Sequence, residues 1–267
     1  MSTFLKKYGF AFCAILALSF YAFSISTNLE EAPRSSSLVV GLQSGYPPFE
    51  YIDTNGKIVG FDLDMAQHIA DKLGKKLVIK DMDFEGTILS LKQGKIDLIL
   101  SGMNITPSRL KEIDMVGYHG EAVTSLSLIF WEKIPSGVQS LEDLANVSNA
   151  YISVESGSVS EQFMHHFPNV KVKSFQGALN PLLDVKYGKS VANLVEPDVA
   201  HYLKSKYPEI KVLSVPLSQE DYILGFGIGI KKGNQDLVKQ VQSIVAELKE
   251  KGELQKLEKQ WFKKEAG

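Results

Sequence analysis

Three short stretches of the chain carry side chains whose types and spacing could hold a small charged molecule. The first is SGMNITPSR, residues 101–109. Thr106 fits a helix N-cap and Pro107 the first helical position, which places Arg109 in the first turn beside backbone N–H groups without intrahelical partners. The partial positive charge of that helix end disfavours an arginine, so an arriving anion would relieve it. A guanidinium grips a carboxylate through two parallel hydrogen bonds. Paired with Glu112 or Asp114 instead, Arg109 would be an ordinary surface arginine, and exposed ion pairs are worth little. The polar Ser101 and Asn104 and the bare Gly102, which close the apolar run 96–100, favour a site.

The second stretch is VESGSVSEQF, residues 154–163. Gly157 lets the chain turn, Ser158 caps a helix, and Glu161 completes a Ser-x-x-Glu capping box. That is a structural device in itself, yet it also leaves N–H groups free to face an anion. The third stretch, Glu196-Pro197-Asp198, follows the apolar run 191–195. An acid at a strand's carboxyl end could hold an ammonium, although acids are favoured in a helix's first turn anyway. An arginine for a carboxylate and an acid for an ammonium together describe a receptor for a zwitterion, since a ligand charge buried without its opposite is costly. Tyr46 and Phe49 in GYPPFE and Phe84 in MDFEG offer planar faces that could sandwich an extended ligand and attract a cation; Phe49 is expected in the core.

Positioning these residues falls to elements that alternate along the chain. Strand-like runs at 38–42, 77–80 and 96–100 are separated by helical patterns at 62–73 and 86–93. A strand-like segment at 125–134 opens a second series, with strands at 151–154, 170–175 and 191–195 and helices at 158–167, 177–187 and 196–207. Two such series imply two α/β lobes, each a mostly parallel sheet flanked by helices, with ligands bound at the strands' carboxyl ends. The expected division is 38–123 with 225–267 as the first lobe and 124–224 as the second. Gly225, Gly227 and Gly229 alternate on one face of a strand and lack phosphate-loop spacing, which points to close strand approach. An amphipathic helix at 234–250 and a last helix ending Trp261-Phe262 follow.

A length of 267 residues allows one large or two modest domains. Lysine plus arginine total 29 against 31 acids, without a basic run interleaved with aromatics, so nucleic acid is not an expected partner. Residues 1–26 read as a secretory signal peptide: Lys6 and Lys7, an apolar run, then Ala22, Ser24 and Ser26, with cleavage after Ser24 or Ser26. An uncleaved anchor ranks second because the apolar run is short. The sole cysteine, Cys13, lies inside this segment, which excludes thiol catalysis and a disulfide framework from the mature chain. Residues 27–37 read as a flexible lead-in.

GYPPFEY, GKIVGFDLDMAQHIADKLGKKL and MDFEGTILSLKQGKIDLILSGMNITPSR resemble closely the first lobe of periplasmic binding proteins for polar amino acids, the receptors of ABC importers. The similarity continues through SGSVSEQF, VEPDVA and GELQKLEKQWF, from Leu38 nearly to the end. The resemblance implies a two-lobed periplasmic-binding-protein-like fold (type II), with two hinge crossings, that closes on its ligand. It implies that Arg109 binds the α-carboxylate, helped by Asn104 and by the backbone at Ser158 and Val159. Ser101 and Gly102 would accept from the α-ammonium, Glu196 would neutralise it, and Tyr46 and Phe84 would flank the side chain. Three positions depart from the family's habit. Glu196 replaces the usual Asp, so the pocket shifts or Asp198 takes part; Thr is common where Asn104 and Val159 stand; and Gln43 occupies a place where receptors for basic amino acids often carry an acid.

Glu155 aligns with a ligand-lining position and could read a distal positive charge; overall similarity to arginine receptors implies arginine or another basic amino acid as the ligand, with glutamine the nearest rival. The expected protein is an exported, periplasmic monomer that delivers its amino acid to an ABC transporter permease. It needs no cofactor or metal. A cyclohexadienyl or arogenate dehydratase on the same fold is the enzymatic alternative, since Glu196 or Glu155 could be a general acid. A tethered sensory module ranks below it. The adjacent His165 and His166 point apart on a helix and are not expected to bind metal.

Overall fold

The computed structural model describes residues 36–148 and 150–262; the expected signal peptide, Cys13 and nearly all of the lead-in lie outside the described residues. The first series contains β1 (Ser37–Leu42), the short pair β2 (Tyr51–Ile52) and β3 (Ile58–Val59), α1 (Phe61–Lys72), β4 (Lys76–Asp81), α2 (Phe84–Lys92), β5 (Leu98–Ile99), α3 (Pro107–Glu112) and β6 (Ile113–His119). The second contains β7 (Ser125–Trp131), β8 (Tyr151–Glu155), α4 (Val159–Met164), β9 (Lys171–Phe175), α5 (Leu179–Lys186), β10 (Ala192–Val195), α6 (Pro197–Lys206) and β11 (Ile210–Pro216). The chain then returns through β12 (Phe226–Lys231) to α7 (Gln235–Glu250) and α8 (Glu253–Trp261).

Two five-stranded sheets result, ordered β4-β1-β5-β12-β6 and β11-β7-β10-β8-β9. β1 runs parallel to β5 with Val40 opposite Leu98, and β10 runs parallel to β8, as does β9. One strand in each sheet is reversed: β12 is antiparallel to β5 and β6, and β7 to β10 and β11. These are the strands that arrive directly from the other sheet without a crossover helix, and parallel pairing needs such a crossover. The two passages run side by side, where Val123 and Ile223 exchange backbone hydrogen bonds of 2.8 and 3.2 Å.

Phe61, Met65 and Ile69 recur at helical spacing on α1 and pack with Val241 and Leu248 of α7 among Leu38, Val40, Leu98, Ile228 and Ile230. Phe49 is fully buried, its ring centroid 4.4 Å from that of Phe226, as its expected core role requires. Burying such a side chain is worth roughly 1.5–3 kcal/mol. In the second lobe Phe130, Ile152, Val154, Phe163 and Leu194 form the core.

The expected glycine face explains the approach of β12 to its neighbours: a Cβ at Gly227 would lie 2.6 Å from the Ile105 side chain and one at Gly229 3.1 Å from that of Ile99. Gly225 stands just before the strand at φ +79°, and a Cβ there would lie 2.8 Å from the His119 carbonyl oxygen. The short pair β2 and β3 lies outside the expected strands, and three further details differ from expectation. β6 and β11 form where the pattern announces no strand, because Asp114 and Gly117 interrupt the first and Pro216 ends the second. The expected helix 158–167 stops at Met164, consistent with the bias of Phe167 away from helical backbone before Pro168.

Candidate functional site

Arg109 sits where the sequence puts it, in the first turn of α3, with Thr106 Oγ1 accepting its backbone N–H at 3.3 Å and Pro107 opening the helix. It is only 4% exposed. The surface alternatives are taken elsewhere, since Glu112 pairs with Lys92 and Asp114 with Lys232. Its Nη1 donates to the Asn104 carbonyl oxygen at 2.8 Å and its Nη2 to the Gly157 carbonyl oxygen of the second lobe at 3.0 Å. The guanidinium carbon lies 5.3 Å from the centroid of the Phe84 ring, so that ring backs the arginine. Burial lowers the Arg109 pKa to about 10, opposed by Glu196, Tyr46 and Glu155.

Asn104 is buried beside Arg109, and its Nδ2 has no partner among the described residues. An unmade buried donor of this kind costs about 1–3 kcal/mol, so an anion arriving at Arg109 would gain a second donor ready for it. Across the cleft Ser158 Oγ caps α4 by accepting from Glu161 N at 3.1 Å. Glu161 returns to Gly157 N at 2.8 Å, one residue earlier than an ordinary capping box, because Ser158 N is turned to the Glu155 carbonyl oxygen. Ser158 and Val159 are buried at this helix end.

Glu196 is 3% exposed at the start of α6 and accepts a short hydrogen bond from the Tyr46 hydroxyl of the first lobe. Burial raises its pKa, against the lowering influence of Tyr46 and Arg109. Asp198 does not share this role: its carboxylate faces His119 Nε2 at 3.9 Å. The extra methylene of Glu196 therefore reaches Tyr46 without help from a second acid. The Tyr46 ring rests on Gly102, where a Cβ would meet it at 2.7 Å and where φ is +50°. Ser101 Oγ accepts from Gln43 N and donates to Glu50, each at 3.0 Å.

Glu155, at the end of β8, is 7% exposed. Burial and then Glu196 raise its pKa to about 8, while Arg109 and a bond from Gly177 N lower it. With the Gln43 amide oriented to satisfy its neighbours, Nε2 donates to Glu155 Oε1 at 2.5 Å and the amide oxygen accepts from Gly177 N at 3.1 Å. One guanidinium and two carboxyl groups thus share a buried cleft, a set that can take two further cations and one further anion.

All eleven candidate residues are buried along this seam. Sequence reasoning missed several groups beside them. The Gly157 carbonyl accepts from Arg109, Gly45 O accepts from Ala178 N at 3.1 Å, and Ser156 Oγ donates to Glu85 at 3.1 Å, all across the cleft. Glu50 and Asp62 lie buried directly beneath Ser101 and Gly102. Their signal was present in GYPPFEY and GFDLD, where each is an acid among apolar neighbours.

A profile for bacterial extracellular solute-binding proteins, family 3, matches residues 38–264. The probable ABC transporter arginine-binding protein ArtJ of Chlamydia trachomatis serovar D is 34% identical over 258 residues, covering 96% of each chain. Solved structures of an ancestral arginine-binding protein, bound to arginine in one and glutamine in the other, superpose with a TM-score of 0.76. They are 33% and 34% identical and cover 85% of this chain and 98% of their own.

Proposed function

The chain belongs to family 3 of the bacterial extracellular solute-binding proteins, and on that premise we propose that it captures arginine or another basic amino acid for an ABC transporter. It works outside the cytoplasmic membrane, as a monomer that hands its ligand to a membrane permease. The observation that carries this reading is the charge balance of the cleft: Arg109 stands against both Glu155 and Glu196, all three buried. A basic amino acid brings one carboxylate for Arg109 and Asn104, one ammonium for Glu196, and one distal cation for Glu155. Every buried charge then meets an opposite, which avoids the several kcal/mol that an unpaired one would cost.

Glutamine is the second reading. It is supported by the raised Glu155 pKa of about 8, which leaves that carboxyl largely neutral at pH 7 and able to face an amide. The glutamine-bound ancestral relative is compatible with it. A thermal-shift screen over the common amino acids separates the two, because a ligand that binds only the folded state raises the melting temperature. Arginine should give the largest rise, followed by other basic amino acids. A response to glutamine alone, or to no basic amino acid, would overturn the first reading.

A further inference from the structure

Two acids with no place in the ligand's charge balance lie under the cleft floor. Glu50 and Asp62 are both fully buried, and neither hydrogen-bonds or ion-pairs with a lysine or arginine of the described residues. Asp62 Oδ2 accepts from Gly102 N at 2.7 Å and Oδ1 from the Tyr118 hydroxyl at 2.5 Å, so both of its oxygens act as acceptors. Glu50 Oε1 accepts from Ser101 Oγ at 3.0 Å, while Oε2 has no donor among the described residues and the Asp62 carboxyl stands within hydrogen-bond reach. The Glu50 backbone carbonyl also receives Gly45 N and Tyr46 N at 3.1 and 2.8 Å.

Two carboxyl groups this close in a dry interior cannot both ionise, and one proton between them supplies the donor that Glu50 Oε2 lacks. Burial and then Asp62 raise the Glu50 pKa well above the ordinary carboxyl range. The other titratable groups facing the pair are Tyr46, Tyr118 and His119 of the first lobe and Glu155 of the second. The pair grips both ends of one peptide unit: Ser101 through its hydroxyl and Gly102 through its N–H. In a trans peptide the carbonyl points opposite to the N–H, so anchoring Gly102 N on Asp62 turns the Ser101 carbonyl oxygen away from the core.

We infer that Glu50 and Asp62 work as one proton-sharing unit that positions the Ser101–Gly102 peptide to receive the ligand's ammonium group. The positioning half rests on the proposed amino-acid ligand; the shared proton does not.

Two arms test it on the full chain. Ligand-free melting across pH compares wild type with Glu50→Gln, which mimics the protonated acid. A carboxyl whose folded pKa is raised stabilises fully below its unfolded value and loses that contribution as pH rises. Glu50→Gln should therefore melt like wild type near about pH 4 and progressively higher than wild type toward about pH 8. A deficit of constant size at every pH overturns the shared proton.

Calorimetry with L-arginine and δ-guanidinovalerate, arginine without its α-amino group, tests positioning. Wild type and Glu50→Gln should prefer arginine by the same factor, and Glu50→Leu should cut that preference about tenfold, the worth of one hydrogen bond. Equal weakening of both compounds in Glu50→Leu, or an unchanged preference, overturns the positioning role. A wild type that bound neither compound would contradict the proposed ligand, and the melting arm would still decide the proton.

Discussion

Arg109 Nη2, carried by the first lobe, donates to the Gly157 carbonyl oxygen of the second at 3.0 Å, so the guanidinium that would grip a ligand carboxylate also bridges the two lobes. Ligand capture and lobe contact therefore draw on the same group. The Tyr46 hydroxyl stands in the same relation to Glu196, and the Gly45 backbone to Ala178.

Tyr46→Phe removes one of these cross-lobe bonds while keeping the ring that rests on Gly102. The loss of roughly 1 kcal/mol of closing free energy should enlarge the ligand-free radius of gyration in solution scattering. Saturating ligand should restore the wild-type value, because its ammonium occupies Glu196. Identical ligand-free scattering from the two proteins would show that this bond does not hold the lobes.

Glu155 makes arginine affinity depend on pH. Its pKa is raised to about 8 by burial and by Glu196. In the ligand-free protein its contribution to stability is complete below the unfolded carboxyl value and is lost as pH rises through about 8. A guanidinium ligand needs the ionised form, so its affinity should climb from about pH 6 to about pH 8, approaching tenfold per pH unit. Titrations in buffers of different ionisation enthalpy should show a proton released with arginine but not with glutamine. Glu155→Gln should flatten the profile and abolish the release; an unaltered profile would remove Glu155 from the distal site.

Gly102 tolerates no side chain. Alanine there would place a Cβ 2.7 Å from the Tyr46 ring at φ +50°, a backbone region that costs a non-glycine residue about 1–2 kcal/mol. Gly102→Ala should lower the melting temperature by roughly 2–8 °C and weaken ligand binding together with it. Unchanged melting and affinity would mean that the Tyr46 ring moves freely.

The parts of this arrangement legible in the sequence are those set by neighbours along the chain. The Thr106–Pro107 helix start fixes where Arg109 emerges, and Ser158 with Glu161 fixes the start of α4. Alternating elements likewise announce two sheets of mainly parallel strands. What escaped depends on contacts between distant segments: the Gly157 carbonyl as partner of Arg109, and the Glu50–Asp62 pair, whose meaning appears only when both lie beneath Ser101 and Gly102. Asp198 shows the converse, since its place beside Glu196 in sequence made it a candidate, while the helix turn directs it to His119.

The central claim, that one buried guanidinium receives the carboxylate of an amino acid, is tested most directly by titrating L-arginine calorimetrically into wild type and Arg109→Ala, with circular dichroism confirming that both are folded. Wild type should saturate at one ligand per chain, and Arg109→Ala should lose about 100-fold or more in affinity, as expected when one partner of a buried charge pair is removed. A folded Arg109→Ala protein that binds arginine as tightly as wild type would contradict the account.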